Sequence, residues 1–260
     1  MLRMTFARFA GVASARGGRE TRESEGFMDI GFWNIQRASS WSTPKAADRY
    51  GLMATWVAEM ATRFDLIVLA EVTQNGPALV EKLKTTKMWC NFVPVANKNG
   101  GVSPCSFMVL SKGVKVQAET VGDGKRPLIF IDTGKILIGA CHAIATQGEP
   151  SKEEILDMLY HLGETAVSNK RSGAVLLGDM NYAIEKWTKF DNVYTEGWSR
   201  CAPCSALNPA KPLPQTHKLG RVIDYAWFAG VGGSARSASA TDDWTDWDVI
   251  DHTPIGFRVA

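Results

Sequence analysis

Long apolar runs are missing from this sequence. No stretch approaches the ~18 consecutive apolar residues of a membrane-spanning helix, so no span is expected. Charge of one sign is not in excess either. Twenty-nine Lys+Arg against 27 Asp+Glu leave a net +2, too little to announce a polyanion partner from composition alone, although local basic patches stay open. A disulfide framework is absent. The five cysteines, Cys90, Cys105, Cys141, Cys201 and Cys204, are odd in number and irregularly spaced, which fits a reduced compartment better than a stapled secreted domain. Cys201-Ala-Pro-Cys204 has C-x-x-C spacing, but no second pair or matching His pair follows. Two loop cysteines are therefore expected ahead of a redox pair or half a zinc site. A secretory apolar core is lacking as well. Residues 1–27 carry Arg3, Arg8, Arg16 and Arg19 before the first acid, Glu20. They are expected to be a disordered tail, or an upstream start read in place of Met28, with a transit-like leader as the alternative. A cytoplasmic location is favoured.

What is present is an ordinary globular chain. It has 260 residues, 45% hydrophobic and 22% charged, with nine Trp. The length suits one large two-sheet domain over residues 28–260. Apolar runs at Ile30–Ile35, Leu66–Ala70, Phe107–Leu110, Pro127–Ile131, Lys135–Cys141, Ala174–Leu177, Val222–Phe228 and Ile255–Val259 read as strands. Asp132-Thr133-Gly134 reads as a hairpin turn. Helical spacing marks Pro44–Arg63, Pro77–Lys84 and Ser151–Val167. The region from Ala183 to about Pro214 reads as irregular. Strands outnumber helices, and hairpins mix with helical crossovers. The expected architecture is a four-layer α/β/β/α sandwich of two mixed sheets.

One pattern recurs: apolar strands end on polar residues that a core does not need. The runs end on Asn34, Glu71, His142, Asp179-Met180-Asn181, Asp224 and Asp251-His252. Taken singly, each has a plain explanation. An acid after a strand is often a turn former or helix cap, and a lone His is often a satisfied core residue. Taken together, and gathered on one edge, they would converge four carboxylates, two amides and two imidazoles. That set suits phosphoester hydrolysis. A hard cation such as Mg²⁺, or Mn²⁺, wants oxygen ligands and neutralises phosphoryl charge. A carboxylate can orient and deprotonate water, and an imidazole can move a proton. His161 is expected on a helix surface, and His217, in a Pro-rich loop, is given little chance of touching substrate.

The segments Trp33-Asn34-Ile35-Gln36, Ala70-Glu71-Val72, His142-Ala143, Gly178-Asp179-Met180-Asn181, Ile223-Asp224-Tyr225 and Asp251-His252-Thr253-Pro254 resemble, in order, those of the endonuclease/exonuclease/phosphatase superfamily. Within it, the stretch from Arg126 to Asn181 and Ile223-Asp224-Tyr225-Ala226 are most similar to the deoxyribonuclease-like catalytic subunit of cytolethal distending toxin. The resemblance implies that Glu71, with Asn34 and Asp251, holds the metal. It implies that Asp179 positions the water, Asn181 steadies the phosphate, and His252 is an acid/base oriented by Asp224. His142 becomes a second imidazole and Arg126 a phosphate contact. Two departures stand out: Ile250 replaces a Ser, and the Ser103-Pro104-Cys105 region lacks the Arg or carboxylate of the nuclease branch.

A DNA nuclease is the leading expectation, with Arg37, Lys98, Lys112, Arg126 and Arg221 as candidate rim cations for the backbone. The alternative is a phosphatase or phosphodiesterase for a phosphoinositide, sphingolipid or small phosphate ester, with Trp244 and Trp247 as an apolar lip. A non-catalytic scaffold ranks last, because every assigned position holds a competent residue.

Overall fold

Leu66-Ile67-Val68-Leu69-Ala70 is apolar at every position, which suits a strand covered on both faces. In the computed structural model it forms β2 (Leu66–Val72), with all five residues buried. The structure describes residues 27–36, 44–73, 76–96, 99–103, 105–113, 117–121, 128–145, 149–188, 191, 195–205, 207–238 and 250–260. The segment read above as a tail lies outside them, apart from Phe27.

The first sheet contains β1 (Met28–Asn34), β2, β3 (Trp89–Val93), β4 (Ser106–Ser111), β11 (Gly233–Ser237) and β12 (Ile255–Val259), in the order β11-β12-β1-β2-β4-β3. The second contains β5 (Gln117–Val121), β6 (Leu128–Asp132), β7 (Ile136–His142), β8 (Gly173–Asp179), β9 (Ser199–Cys201) and β10 (Asp224–Ala229), in the order β5-β6-β7-β8-β10-β9. Each sheet holds one parallel pair, β1/β2 and β7/β8. Parallel neighbours need a crossover. Helix α1 (Pro44–Arg63) supplies the first and α3 (Glu149–Ser168) the second. A shorter helix, α2 (Gly76–Leu83), follows β2. Among the described residues, no helix is long and apolar enough to cross a membrane.

Three apolar layers separate the four structural ones. Ile30, Phe32, Val68, Val109, Ile138, Val175, Ala226 and Phe257 belong to the layer between the sheets. Met53, Val57, Met60 and Phe64 of α1 and its C-terminal end cover the outer face of the first sheet. Ile155, Leu159, Leu162 and Ala166 of α3 cover the second. Both helices bury one stripe at the helical period. The expected four-layer sandwich is the observed fold. The expected turn is present too: Gly134, at φ 83°, donates from its backbone to Asp132 Oδ1 at 2.8 Å.

The sequence reading misses β3, β5, β9 and β11. These are the four edge strands. An edge strand is partnered on one side only and can be short and polar. Gly233-Ser234-Ala235-Arg236-Ser237 buries only Ala235 and Ser237, too little for an apolar pattern to register.

The interior layer is close-packed, so volume lost there is felt directly. Ile138→Ala is expected to cost about 2–5 kcal/mol and Ile138→Val about 0.5–1.5 kcal/mol in urea unfolding. Leu207→Ala, at a position 72% exposed, should stay within roughly 0.5 kcal/mol of wild type.

Candidate active site

Side chains alternate across a strand, so one parity faces the inter-sheet layer. In β1 that parity is Ile30, Phe32 and then Asn34. In β7 it runs Ile136, Ile138, Ala140 and then His142. In β8 it runs Val175, Leu177 and then Asp179, and in β10 Phe228 and Ala226 lead back to Asp224. Four polar residues thus extend the apolar interior past its end. In the second sheet they stand in one row, since His142 pairs with Asp179 and Asp179 with Asp224.

Glu71 breaks the rule. Leu66, Val68 and Ala70 face the interior, so Glu71 should face α1. The β2–β4 register slips between Leu69 and Val72, a bulge, and Glu71 takes φ 57°. The extra residue moves Val72 to the helix side and frees Glu71 for the site. Gln36 and Asn181 also have positive φ, at 48° and 47°. Such backbone costs roughly 1–3 kcal/mol per residue. Gly178 (φ 152°) lies so close to β7 that an added Cβ would stand 2.1 Å from the Cys141 carbonyl oxygen, so only glycine fits before Asp179.

Asn34 sits at the centre. Its Nδ2 donates to Asp179 Oδ2 at 3.0 Å and Glu71 Oε1 at 3.2 Å, and lies 3.4 Å from His252 Nε2. Its Oδ1 accepts from the Gln36 backbone at 3.0 Å. With no cation between the acids, the amide's donor end faces them and its oxygen faces the Gln36 backbone. His142 Nε2 lies 3.5 Å from Glu71 Oε1 and 3.7 Å from Asp179 Oδ2. Asp179 Oδ1 accepts the Asn181 backbone N–H at 2.9 Å, and Asn181 Nδ2 donates to the Ala143 carbonyl at 2.9 Å.

His252 is held from both ends. Nδ1 lies 3.0 and 3.1 Å from the two Asp224 oxygens. Nε2 lies 3.6 Å from Asp179 Oδ2 and 3.7 Å from Asp251 Oδ1. Burial alone would depress its pKa, but the charges of Asp224, Asp179 and Asp251 and the Asp224 hydrogen bond outweigh burial and push it up to about 10. Burial raises the Asp179 carboxyl against the opposing pull of His252. Asp251 is held below the usual carboxylate range: burial opposes this, but the His217 hydrogen bond and the charges of His252 and His217 prevail.

Asp251 uses its oxygens unequally. Oδ2 accepts from Gln36 Nε2 at 2.9 Å, with His217 Nε2 at 3.5 Å. Oδ1 is buried and accepts no hydrogen bond. An orphaned carboxylate oxygen among several acids fits a cation better than it fits water-free burial. Among the described residues, two groups bring three ligand atoms within 4.8 Å of one another: His217, Asp251 and His252, and Asp179, Asp224 and His252. Glu71 belongs to neither group and joins the site through Asn34 Nδ2, at 3.2 Å from its Oε1.

Sequence reasoning therefore misses three members. Gln36 follows Asn34 by two residues, and its place in the Trp33–Gln36 segment was the available signal. His217 is not among the residues the sequence singles out for the site, yet its ring is 4.7 Å from that of His252. Thr216 is fully buried, and its Oγ1 accepts the backbone N–H groups of Ile223 and Asp224, both at 3.0 Å. Nothing in the sequence marks it.

Other expectations fall elsewhere. His161 is exposed on α3. Lys112 is not a rim cation: its backbone N–H bonds to the Asp65 carbonyl at 2.9 Å, at the opposite end of β2 from Glu71. Arg221 lies in the turn beside Asp251. Arg37, Lys98, Arg126, Trp244 and Trp247 lie outside the described residues. None of the five cysteines is in a disulfide. Cys201 closes β9, and Cys204 Sγ donates to the Ala235 carbonyl at 3.1 Å.

The architecture, two mixed sheets packed face to face with helices outside, is that of endonuclease/exonuclease/phosphatase-type structures. A family protein of that description from Bacteroides thetaiotaomicron superposes with TM-score 0.61 at 15% identity, covering 90% of this chain and 97% of that one. A mannosyl-6-phosphatase from the same organism gives 0.64 at 14%, covering 90% and 99%. ANGEL2, a 2′,3′-cyclic phosphatase, gives 0.65 at 12%, covering 90% and 95%. At these identities the likeness establishes the fold. No family model and no curated protein matches the sequence.

The raised His252 pKa has a sign. The folded state favours the imidazolium, so this stabilisation is complete below pH 6.5 and is lost as pH rises through about 10. Metal-free protein should lose urea stability across that window. Asp224→Asn should flatten the slope and move the His252 NMR titration toward neutral pH. An unchanged titration would show that Asp224 does not hold the charge.

Proposed function

We infer that this chain is a divalent-metal-dependent phosphoesterase that hydrolyses DNA phosphodiester bonds by attack of water. The observation that carries the chemistry is the bare Asp251 Oδ1 beside a buried crowd of carboxylates and imidazoles. Mg²⁺ or Mn²⁺, held by oxygens of Glu71 and Asp251, would neutralise charge on the phosphoryl group.

The protein's own groups divide the remaining work. Asp179 has Oδ1 fixed by Asn181 and Oδ2 turned toward Asn34, His142 and His252. It is the group to orient the attacking water and take its proton. Asn34 keeps Glu71 and Asp179 side by side. Asn181 commits one Nδ2 hydrogen to Ala143 and has a second for a phosphate oxygen. His252, charged and clamped by Asp224, donates through Nε2 to a phosphate or leaving-group oxygen. His142 is the second imidazole, near the leaving group.

DNA as substrate is supported by the resemblance of the Arg126–Asn181 stretch to deoxyribonuclease-like sequences and by Arg221 in the turn beside the site. A second reading, a phosphatase acting on a small phosphate ester or lipid phosphate, is favoured by two structural relatives that are themselves described as phosphatases.

The test is one panel with Mg²⁺ or Mn²⁺: supercoiled plasmid, single-stranded DNA, a phosphoinositide, sphingomyelin and a sugar phosphate. Plasmid nicking abolished by EDTA is expected. Asp179→Ala and His252→Ala should each lower the rate by roughly 100-fold or more. Full activity in both variants would sink the mechanism. Intact plasmid with phosphate released from a lipid or sugar ester would keep the chemistry and replace the substrate.

A further inference from the structure

His217 belongs to no strand, yet its position is fixed. The Arg221 carbonyl accepts the backbone N–H groups of Thr216 and His217, at 2.8 and 3.1 Å. Gly220, at φ 73°, donates to the His217 carbonyl at 3.0 Å. This tight turn is laced to the neighbouring segment: Lys218 N–H donates to the Asp251 carbonyl at 2.8 Å, and Thr253 N–H to the Thr216 carbonyl at 3.0 Å. The His217 ring therefore stands edge-on to His252, with Nε2 3.5 Å from Asp251 Oδ2.

Two roles compete for such a histidine. With Asp251 and His252 it forms a cluster that a nitrogen-preferring transition metal would accept. The other ring nitrogen decides between them. Leu219 N–H donates to His217 Nδ1 at 3.1 Å, so Nδ1 carries a lone pair and the proton of the neutral ring sits on Nε2. A ligating histidine shows the reverse arrangement, in which the nitrogen away from the metal donates its hydrogen to an acceptor. His217 Nε2–H is thus a donor, and it faces Asp251 Oδ2. That oxygen also receives Gln36 Nε2 at 2.9 Å, while Oδ1 receives nothing.

We propose that His217 is a positioning residue: with Gln36 it occupies Asp251 Oδ2, so that Oδ1 is the oxygen turned toward a divalent cation. The proposal rests on the reading of Asp251 as a cation ligand. It predicts an oxygen-ligand site whose affinity, for any hard cation, depends on a hydrogen bond from outside the ligand set.

The test is Mn²⁺ binding to the full chain, read by electron paramagnetic resonance without substrate, with Mg²⁺ and Zn²⁺ in competition. His217→Phe keeps the ring volume and removes the donor; His217→Ala removes both. Each should bind Mn²⁺ and Mg²⁺ about 10-fold or more weakly. His217→Gln, which restores an N–H of similar reach, should recover to within a few-fold. Metal-free thermal midpoints confirm which variants are folded, and at least one of Phe and Gln should be. Unchanged affinity in the Phe and Ala variants would overturn the proposal. So would a loss not recovered by Gln and much larger for Zn²⁺ than for Mg²⁺, which would make His217 a ligand. Asp251→Asn separates the two claims. If it leaves Mn²⁺ binding intact, the cation reading of the site fails. If it abolishes binding while the His217 variants bind normally, only the role of His217 fails.

Discussion

Two sheets share one apolar interior, and the residues that fill it alternate along each strand with those that meet the helices. That alternation does more than build a core. At the C-terminal ends of β1, β7 and β8, and at the start of β10, the inward parity continues for one more position, and there it is polar: Asn34, His142, Asp179 and Asp224. The site is the core's own geometry carried one residue too far to stay dry. Glu71 alone needs a local device, a bulge with a left-handed residue, and the strain of that device falls where strain is usually found, at a site.

Charge then sets what the gathered groups can do. Asp179, Asp224 and His252 are almost fully buried, where like charges cannot coexist cheaply. The acids are kept together by imidazoles, by the Asn34 amide and by backbone N–H donors. His252 answers for three carboxylates, which is why its proton is held so firmly. Among the described residues, Asp251 Oδ1 is the one buried site oxygen with no hydrogen bond, and a cation there would complete the balance.

Much of this was legible in the sequence. Continuous apolar runs marked the inner strands, and α1 was readable to both its ends. The polar residues closing those runs marked the site, because a core has no use for an acid or amide in that place. Edge strands were not legible, since β9 and β11 bury too few side chains to imprint a pattern. His217 and Thr216 were not legible either. They reach the site through backbone bonds from a turn to the 251–253 segment, and such tertiary bonds leave no periodicity behind. The direction of the Asn34 amide was also hidden, because it depends on which acids the fold crowds around it.

The proposed chemistry requires these groups to hold a hard divalent cation through Asp251 Oδ1 and Glu71. The most direct measurement is anomalous diffraction from crystals soaked in Mn²⁺. A single strong peak in direct coordination with Asp251 Oδ1 and a Glu71 oxygen is expected, with His217 Nε2 outside coordination distance. No peak at saturating Mn²⁺, or a peak coordinated by His217 Nε2 and remote from Glu71, would contradict it.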